Sequence, residues 1–361
     1  MKGDLSMTSR FLTDFGWRPE HDRAFAAYAA QGCVPARVAS ESQHLYRLYT
    51  GQGDLLARVA GKLRHAARRR QDFPAVGDWV AASPLPGGEA VIHGVLPRCG
   101  RFSRKVAGET TDEQVVAANV DTVFLVSALT NEFNPRRIER YLVMAWESGA
   151  TPVIVLNKAD RCPDVEAKVA ELGLLAAGVP VHPVSGATGQ GLDALLPYLQ
   201  AGRTVAFLGS SGVGKSTLIN RLCGREAQAT GEVRRSDDRG RHTTTQRELL
   251  RLPGGGLVID TPGLRELQLW ATEEGLDETF TDVARLAERC RFGDCRHAEE
   301  PGCAVRRAVE DGTLDSARYE SYLKLQKELA YLERKQDQRA RLAEKEKWQR
   351  IHLEARRRGH R

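Results

Sequence analysis

The sequence predicts a multidomain protein: an N-terminal OB-like β-barrel, a central α/β domain and a C-terminal α-helical domain. Three observations carry that expectation. Between Val34 and Lys105, five short β-rich runs are separated by Gly-rich turns, a spacing that suits a small barrel. From Val115, apolar runs alternate with amphipathic stretches, the pattern of a sheet covered by helices. From Glu278 the chain turns cysteine-rich and then helical and charged. At 361 residues it is longer than a single hydrophobic core usually supports. The expected divisions are a lead-in over 1–33, the barrel over 34–112, the α/β domain over 113–275 and the last domain over 276–361.

Composition narrows the setting. A net charge of +6 is modestly basic and permits nucleic acid as a partner. No charged-then-apolar leader opens the chain and no run of eighteen apolar residues is present, so a cytosolic, membrane-free location is expected. Of seven cysteines, Cys290, Cys295 and Cys303 crowd together while Cys33, Cys99, Cys162 and Cys223 are scattered, which points to a metal site in a reducing compartment rather than a disulfide framework.

In the lead-in, Phe11, Phe15 and Trp17 are packing anchors and Asp22 to Ala30 a helix candidate. The barrel strands are read at 35–39, 44–49, 54–59, 78–81 and 89–95. Between the third and fourth lies the dense basic run Lys62-Leu63-Arg64-His65-Ala66-Ala67-Arg68-Arg69-Arg70. Such a run is a solvated face or, on a barrel loop, an RNA contact; the barrel context favours RNA. In the α/β region, strands are expected at 121–126 and 151–156, helices at 135–147 and 165–175, and a Pro-flanked edge strand at 181–184.

Chemistry concentrates at the ends of these strands. The apolar run 204–208 leads into Gly209-Ser210-Ser211-Gly212-Val213-Gly214-Lys215-Ser216-Thr217 and then a helix, the setting of a phosphate-binding loop. Its N–H groups would wrap nucleotide phosphates, Lys215 would reach the β and γ oxygens, and Ser216 would hold Mg²⁺. The strand 257–259 ends in Asp260-Thr261-Pro262-Gly263, an acid for Mg²⁺ through water and a glycine N–H for the γ-phosphate. Asn157-Lys158-Ala159-Asp160 follows another strand. The Asp160 carboxylate can accept from N1–H and the 2-amino group of guanine, donors that adenine lacks, while Asn157 serves loop or base atoms and the Lys158 stem lies across the ring. Ser185-Gly186-Ala187 would offer a backbone N–H to guanine O6.

The order of these elements is unusual, since the guanine motifs at Asn157 and Ser185 precede the phosphate loop and Asp260 closes the set. The same sheet can be built by circular permutation. The polar stretch 231–245 reads as a switch loop in which Thr243 or Thr244 completes the Mg²⁺ shell. Leu264 stands where a signalling GTPase carries its water-positioning glutamine, so His242 is the catalytic candidate, with a structural or exposed histidine as the alternative.

Cys290, Cys295, His297 and Cys303 put three thiolates and an imidazole within fourteen residues, the donor set of a closed structural Zn²⁺ site. Beyond it a helical, charged stretch carries Tyr322, Leu325, Leu329 and Leu332 along one side and ends in the basic run 356–361, which either packs back on the metal segment or adds RNA phosphate contacts.

Taken together, these motifs, with Gly240-Arg241-His242-Thr243-Thr244-Thr245 and the linker 114–121, resemble the ribosome small subunit-dependent GTPase A family (RsgA/YjeQ) over roughly residues 34 to 320. The resemblance implies a bacterial, circularly permuted GTPase with an OB domain and a zinc domain. It implies GTP hydrolysis to GDP and phosphate, stimulated by the small (30S) ribosomal subunit during that subunit's late maturation. The partners implied are the subunit, its rRNA and guanine nucleotide, with Mg²⁺ and one structural Zn²⁺ per monomer. The alternative is an RNA-binding assembly scaffold that uses guanine nucleotide mainly as a conformational ligand.

Overall fold

The computed structural model describes residues 10–105, 113–130, 133–224, 247–260, 273–332 and 334. His242, Thr243, Thr244, Gly263, Leu264 and the basic terminus 356–361 lie outside the described residues. The chain forms two compact units, Met1–Lys105 with Asp112–Gln268, and Val106–Thr111 with Leu269–Arg361. The barrel and the α/β sheet thus share one unit.

The barrel holds β1 (Val34–Ser42), β2 (Leu45–Thr50), β3 (Gly53–Val59), β4 (Trp79–Leu85) and β5 (Glu89–Val95). All five expected strands are present, with ends moved by a few residues. The order β1-β2-β3-β5-β4 closes because β4 pairs back onto β1, and β3 runs parallel to β5. Alternation along each strand sends Val38, Tyr46, Leu48, Ala57, Val80 and Ile92 inside. The basic run forms a short helix α2 (Gly61–Ala66) and the turn after it, with Lys62, Arg64, His65, Arg68, Arg69 and Arg70 exposed while Leu63 packs onto the barrel core.

Helix α1 (Pro19–Ala29) and a helical turn over 10–14 pack the lead-in against this barrel. Phe11 and Phe15 are buried, and Trp17 meets the fully buried Trp79 edge-on at 4.8 Å between ring centres. The lead-in also grips the α/β sheet. The Gly202 N–H donates to Asp14 O at 2.9 Å, Arg251 pairs with Asp14 at 2.9 Å, and Arg18 pairs with Asp121 at 2.5 Å. Here Gly16 and Gly202, both at positive φ, let the backbones touch: a Cβ on Gly16 would stand 2.6 Å from Gly202 O.

At the centre of that junction lies Arg37 of β1, 1% exposed. Its guanidinium donates to Gly77 O at 3.1 Å, to Asn119 O and Thr204 Oγ1 at 3.0 Å each, and to Phe15 O. Burial pushes its pKa down to about 10, against the opposing pull of Asp121 and Asp78, so it stays charged at neutral pH. A buried cation is tolerable when its donors are met, and these four acceptors come from four separate segments.

A two-stranded ribbon, β6 (Arg101–Lys105) against β7 (Glu113–Ala118), leads into the sheet. The sequence reading begins the α/β pattern at Val115 and misses this ribbon. Then come β8 (Thr122–Ala128), α3 (Pro135–Ser148), β9 (Thr151–Asn157), α4 (Val165–Leu175), β10 (Val181–Pro183), β11 (Thr204–Leu208), α5 (Lys215–Cys223), β12 (Glu248–Arg251) and β13 (Leu257–Asp260). Their spatial order is β10-β9-β8-β11-β13-β12, parallel except for β12. Strand β10 is the edge strand its flanking prolines predict. Strand β12 is an addition to the sequence reading, and its Glu248 bridges to Ser40 of β1, joining sheet to barrel.

Local rules account for α3. Asn134 caps it, its Oδ1 accepting from Arg137 N at 3.2 Å; Pro135 opens it; and Gly149, at φ 78°, ends it. Ile138, Leu142, Val143 and Ala145 supply its buried stripe.

The second unit contains α6 (Glu273–Thr279), α7 (Thr281–Ala287), α8 (Ala304–Glu310) and α9 over 316–332. Tyr322, Leu325 and Leu329 of α9 are buried, Leu332 is half-buried, and Phe280 meets Tyr322 edge-on at 5.5 Å. Arg318 forms a two-pronged pair with Asp282, at 2.5 and 2.8 Å. Of the alternatives for this helix, its described part packs back on the cysteine segment. Among the described residues no helix is long and apolar enough to cross a membrane.

Candidate functional site

Parallel strands align the carboxyl ends of β9, β8, β11 and β13, and the expected nucleotide motifs emerge there side by side. Asn157 is the hub. Only 2% exposed, it donates from Nδ2 to Val213 O of the phosphate loop at 2.7 Å and accepts at Oδ1 from Gly186 N at 2.9 Å. Its amide thus ties the phosphate loop to the 185–187 turn, the loop contact among the two roles, loop or base, expected of it. Gly214, at φ 93°, is required by this approach, since a Cβ there would stand 2.3 Å from Asn157 Nδ2.

Both lysines lie on the phosphate loop. Lys158, itself in the left-handed region at φ 64°, donates to Gly212 O at 2.7 Å. Lys215 donates to Gly209 O and Ser210 O, at 2.7 Å each. Carbonyl contacts of this kind exchange readily for phosphate oxygens, which offer a cation full charge. Ser216 and Thr217 sit in the first turn of α5, where backbone N–H groups point at an anion. Strand β13 neighbours β11, so Asp260 leaves the sheet beside that turn. Asp160 lies in the short turn Ala159–Arg161, its carboxylate 25% exposed and 3.9 Å from Arg161.

The 185–187 turn is drawn tight. Ser185 N donates to Gln190 O at 2.9 Å, Gly189 N to Ser185 O at 2.8 Å and Thr188 N to Ser185 Oγ at 3.1 Å. With the Gly186 N–H on Asn157, the Ala187 N–H is the one in this turn that donates to none of these acceptors. It is the N–H that the contact with guanine O6 expected of this turn would use.

Sequence reasoning missed three side chains around the site. Arg137 Nη1 donates to Ser210 Oγ at 2.9 Å and Tyr141 OH lies 3.3 Å from the same hydroxyl. Their i, i+4 spacing on α3 was a legible signal once α3 was known to follow the strand next to β11. Arg221 of α5 donates to Ala187 O at 2.7 Å.

In the second unit, the ligand atoms of Cys290, Cys295, His297 and Cys303 lie within 4.8 Å of one another. Cys290 Sγ to Cys303 Sγ is 3.9 Å, and His297 Nδ1 lies 3.6 and 3.5 Å from those two sulfurs. Tetrahedral zinc with ordinary Zn–S and Zn–N bonds requires edges of about 3.8 Å and about 3.6 Å. Ala304 N and Arg306 N donate to Cys290 Sγ and Cys303 Sγ at 3.3 and 3.4 Å, as thiolate ligands require. Burial, with the Cys303 and Cys290 sulfurs, pushes the Cys295 thiol up to about 11. The donor set fits a metal.

Known proteins agree with this geometry. The sequence profile described as RsgA GTPase matches residues 95–270. A small ribosomal subunit biogenesis GTPase RsgA from Opitutus terrae is 50% identical over 351 residues, spanning 94% of this chain and 96% of its own. Its namesake from Syntrophotalea carbinolica is 45% identical over 344 residues, spanning 93% and 94%. Among solved structures, YjeQ from Thermotoga maritima superposes with a TM-score of 0.64 at 32% identity, covering 82% of this chain and 99% of that one. YloQ, a circularly permuted GTPase, does so with a TM-score of 0.60 at 26% identity, covering 82% and 95%. A closed five-strand barrel, a sheet in which the 157–160 and 185–187 segments precede the 209–217 loop, and relatives matched almost end to end agree on one conclusion: the chain belongs to the RsgA GTPase family.

Proposed function

We propose that this chain hydrolyses GTP to GDP and phosphate in the late maturation of the small ribosomal subunit, and that the subunit stimulates the reaction. The observation that carries the nucleotide reading is the Asn157 bridge, which ties the phosphate loop to the 185–187 turn. The role in the subunit's biogenesis rests on the names of relatives matched over nearly their whole length.

In this reading Asp160 takes guanine N1–H and the 2-amino group, and Ala187 N–H takes O6. The Lys158 stem covers the ring. The 209–217 loop and Lys215 hold the phosphates, with Gly263 at the γ-phosphate. Ser216 and, through water, Asp260 hold Mg²⁺, which would neutralise phosphate charge as the terminal bond breaks. His242 acts on the attacking water, in place of the glutamine that Leu264 displaces. Zn²⁺ at Cys290, Cys295, His297 and Cys303 would cross-link a segment with little core of its own. The exposed cations at 62–70 contact rRNA phosphates. The protein works as a monomer in the cytoplasm.

The test is the steady-state GTP hydrolysis rate of the purified protein at fixed salt, alone and with small subunits. Strong stimulation is expected. Bound nucleotide with turnover that stays negligible on every ribosomal particle would select the scaffold reading instead. For zinc, chelation is expected to abolish the helicity of 273–332; helices that survive metal removal would overturn the assignment.

A further inference from the structure

Helix α5 does more than open the phosphate loop. Its first turn carries Lys215 and Ser216, its Thr217 and Leu218 pack against Gly186 of the base loop, and its last turn sends Arg221 back to that same loop. We propose that Arg221 is a positioning residue for guanine selectivity: by holding the Ala187 carbonyl it orients the turn that offers Ala187 N–H to O6. This rests on the assignment of the 185–187 turn to the base, and the experiment below separates the two.

Ser185, Gly186, Thr188 and Gly189 donate within the domain and hold the turn from its inner side, where Ser185 and Gly186 are buried. Ala187 is exposed, and its carbonyl is the turn's handle for a donor from α5. Arg221 Nη2 takes that handle at 2.7 Å, and its guanidinium runs along the turn toward Gly189, where a Cβ would lie 3.8 Å from Nη2. The peptide plane that carries the Ala187 N–H lies between two held planes, one fixed through Gly186 N–H and the other through Thr188 N–H and the Ala187 carbonyl, so the Arg221 contact tightens one of its two anchors. A charge-assisted donor is suited to this because the loop is solvent-facing and a neutral contact would compete poorly with water. The contact also joins the phosphate-binding helix to the base-reading loop, so a nucleotide that orders one end pre-orients the other.

The experiment measures dissociation constants of GDP, inosine diphosphate and 6-thioguanosine diphosphate for the wild-type protein and for Arg221→Ala. Inosine keeps O6 and loses the 2-amino group; the thio analogue keeps N1–H and the 2-amino group but has a poor acceptor at position 6. Arg221 is exposed, so the variant folds. The expected result is that GDP and inosine diphosphate each weaken roughly three- to tenfold, the scale of one charge-assisted hydrogen bond, while the thio analogue changes less than about twofold. Equal weakening of all three would assign Arg221 to general electrostatics, and no weakening would make it a surface contact; either overturns the proposal. If the wild-type protein itself binds the thio analogue as well as GDP, the base assignment of the turn fails first.

Discussion

The two ends of the central sheet are built on opposite principles from the same strands. At the amino ends, buried Thr204 of β11 and Asp121 before β8 are tied to buried Arg37, to Arg18 and to the lead-in. At the carboxyl ends, the cations of Lys158 and Lys215 rest on loop carbonyls and Asp160 is part-exposed. One end joins segments far apart in sequence through contacts that no ligand replaces; the other uses contacts that phosphate or base atoms can take over. A nucleotide site must rearrange when it fills, and a rigid foot confines that rearrangement to the loops.

Predictions from this contrast differ in size. The largest concerns the exchangeable end: Lys215→Ala is expected to lower kcat for GTP by more than about 100-fold, the scale of losing a preorganised cation at the phosphates, while thermal unfolding barely moves. Stopped-flow or phosphate-release assays check it, and a turnover near wild type would sink the role of Lys215. Next, Asp160→Asn is expected to move selectivity from guanine toward xanthine by about two powers of ten or more, since the acceptor becomes a donor. Competition between GTP and xanthosine triphosphate measures this, and unchanged guanine preference would remove Asp160 from the base.

The foot should respond in the opposite way. Arg37→Met leaves the Asn119, Gly77 and Phe15 carbonyls without their buried donor and is expected to cost about 3 kcal/mol or more of stability in urea titrations. Nucleotide selectivity of the molecules that remain folded should not change. The smallest effect is that of pH on His21, which is 1% exposed and held below its ordinary pKa by burial and, next, by Arg37; Arg18 adds to this, while a Pro97 backbone bond and Glu20 oppose it. A base with a depressed folded pKa leaves stability intact above about pH 6.5, the unfolded value, and lowers it as pH falls below that value until the folded group protonates. His21→Gln is expected to flatten that decline between about pH 7 and pH 5. An unchanged slope in denaturation midpoints would show that other groups set it.

Legibility followed the same division. The 209–217 loop, Asn157–Asp160 and the 185–187 turn stand out in sequence because each is a contiguous motif, and the sheet brings all three to neighbouring strand ends. The Cys290, Cys295, His297 and Cys303 set was readable for the same reason. By contrast, the foot was hidden. Nothing near Arg37 in sequence announces that a barrel arginine will meet acceptors at residues 15, 77, 119 and 204. The ribbon of β6 and β7 and the four-residue strand β12 were missed because their pairing partners, rather than any apolar period, make them strands.

What the sequence alone determined, then, is the set of parts and their chemistry: a barrel, a permuted GTPase domain and a Cys/His cluster with the donor set of a metal site. Each is encoded within one local stretch or one period. What only the tertiary structure decided is how the parts are held. Asn157 serves the loops, Arg221 reaches the base turn, and Arg37 fastens barrel, lead-in and sheet into one unit. Those roles depend on which distant acceptors a side chain finds once the sheet has brought them together, and the need to satisfy buried polar groups selects the partners only then.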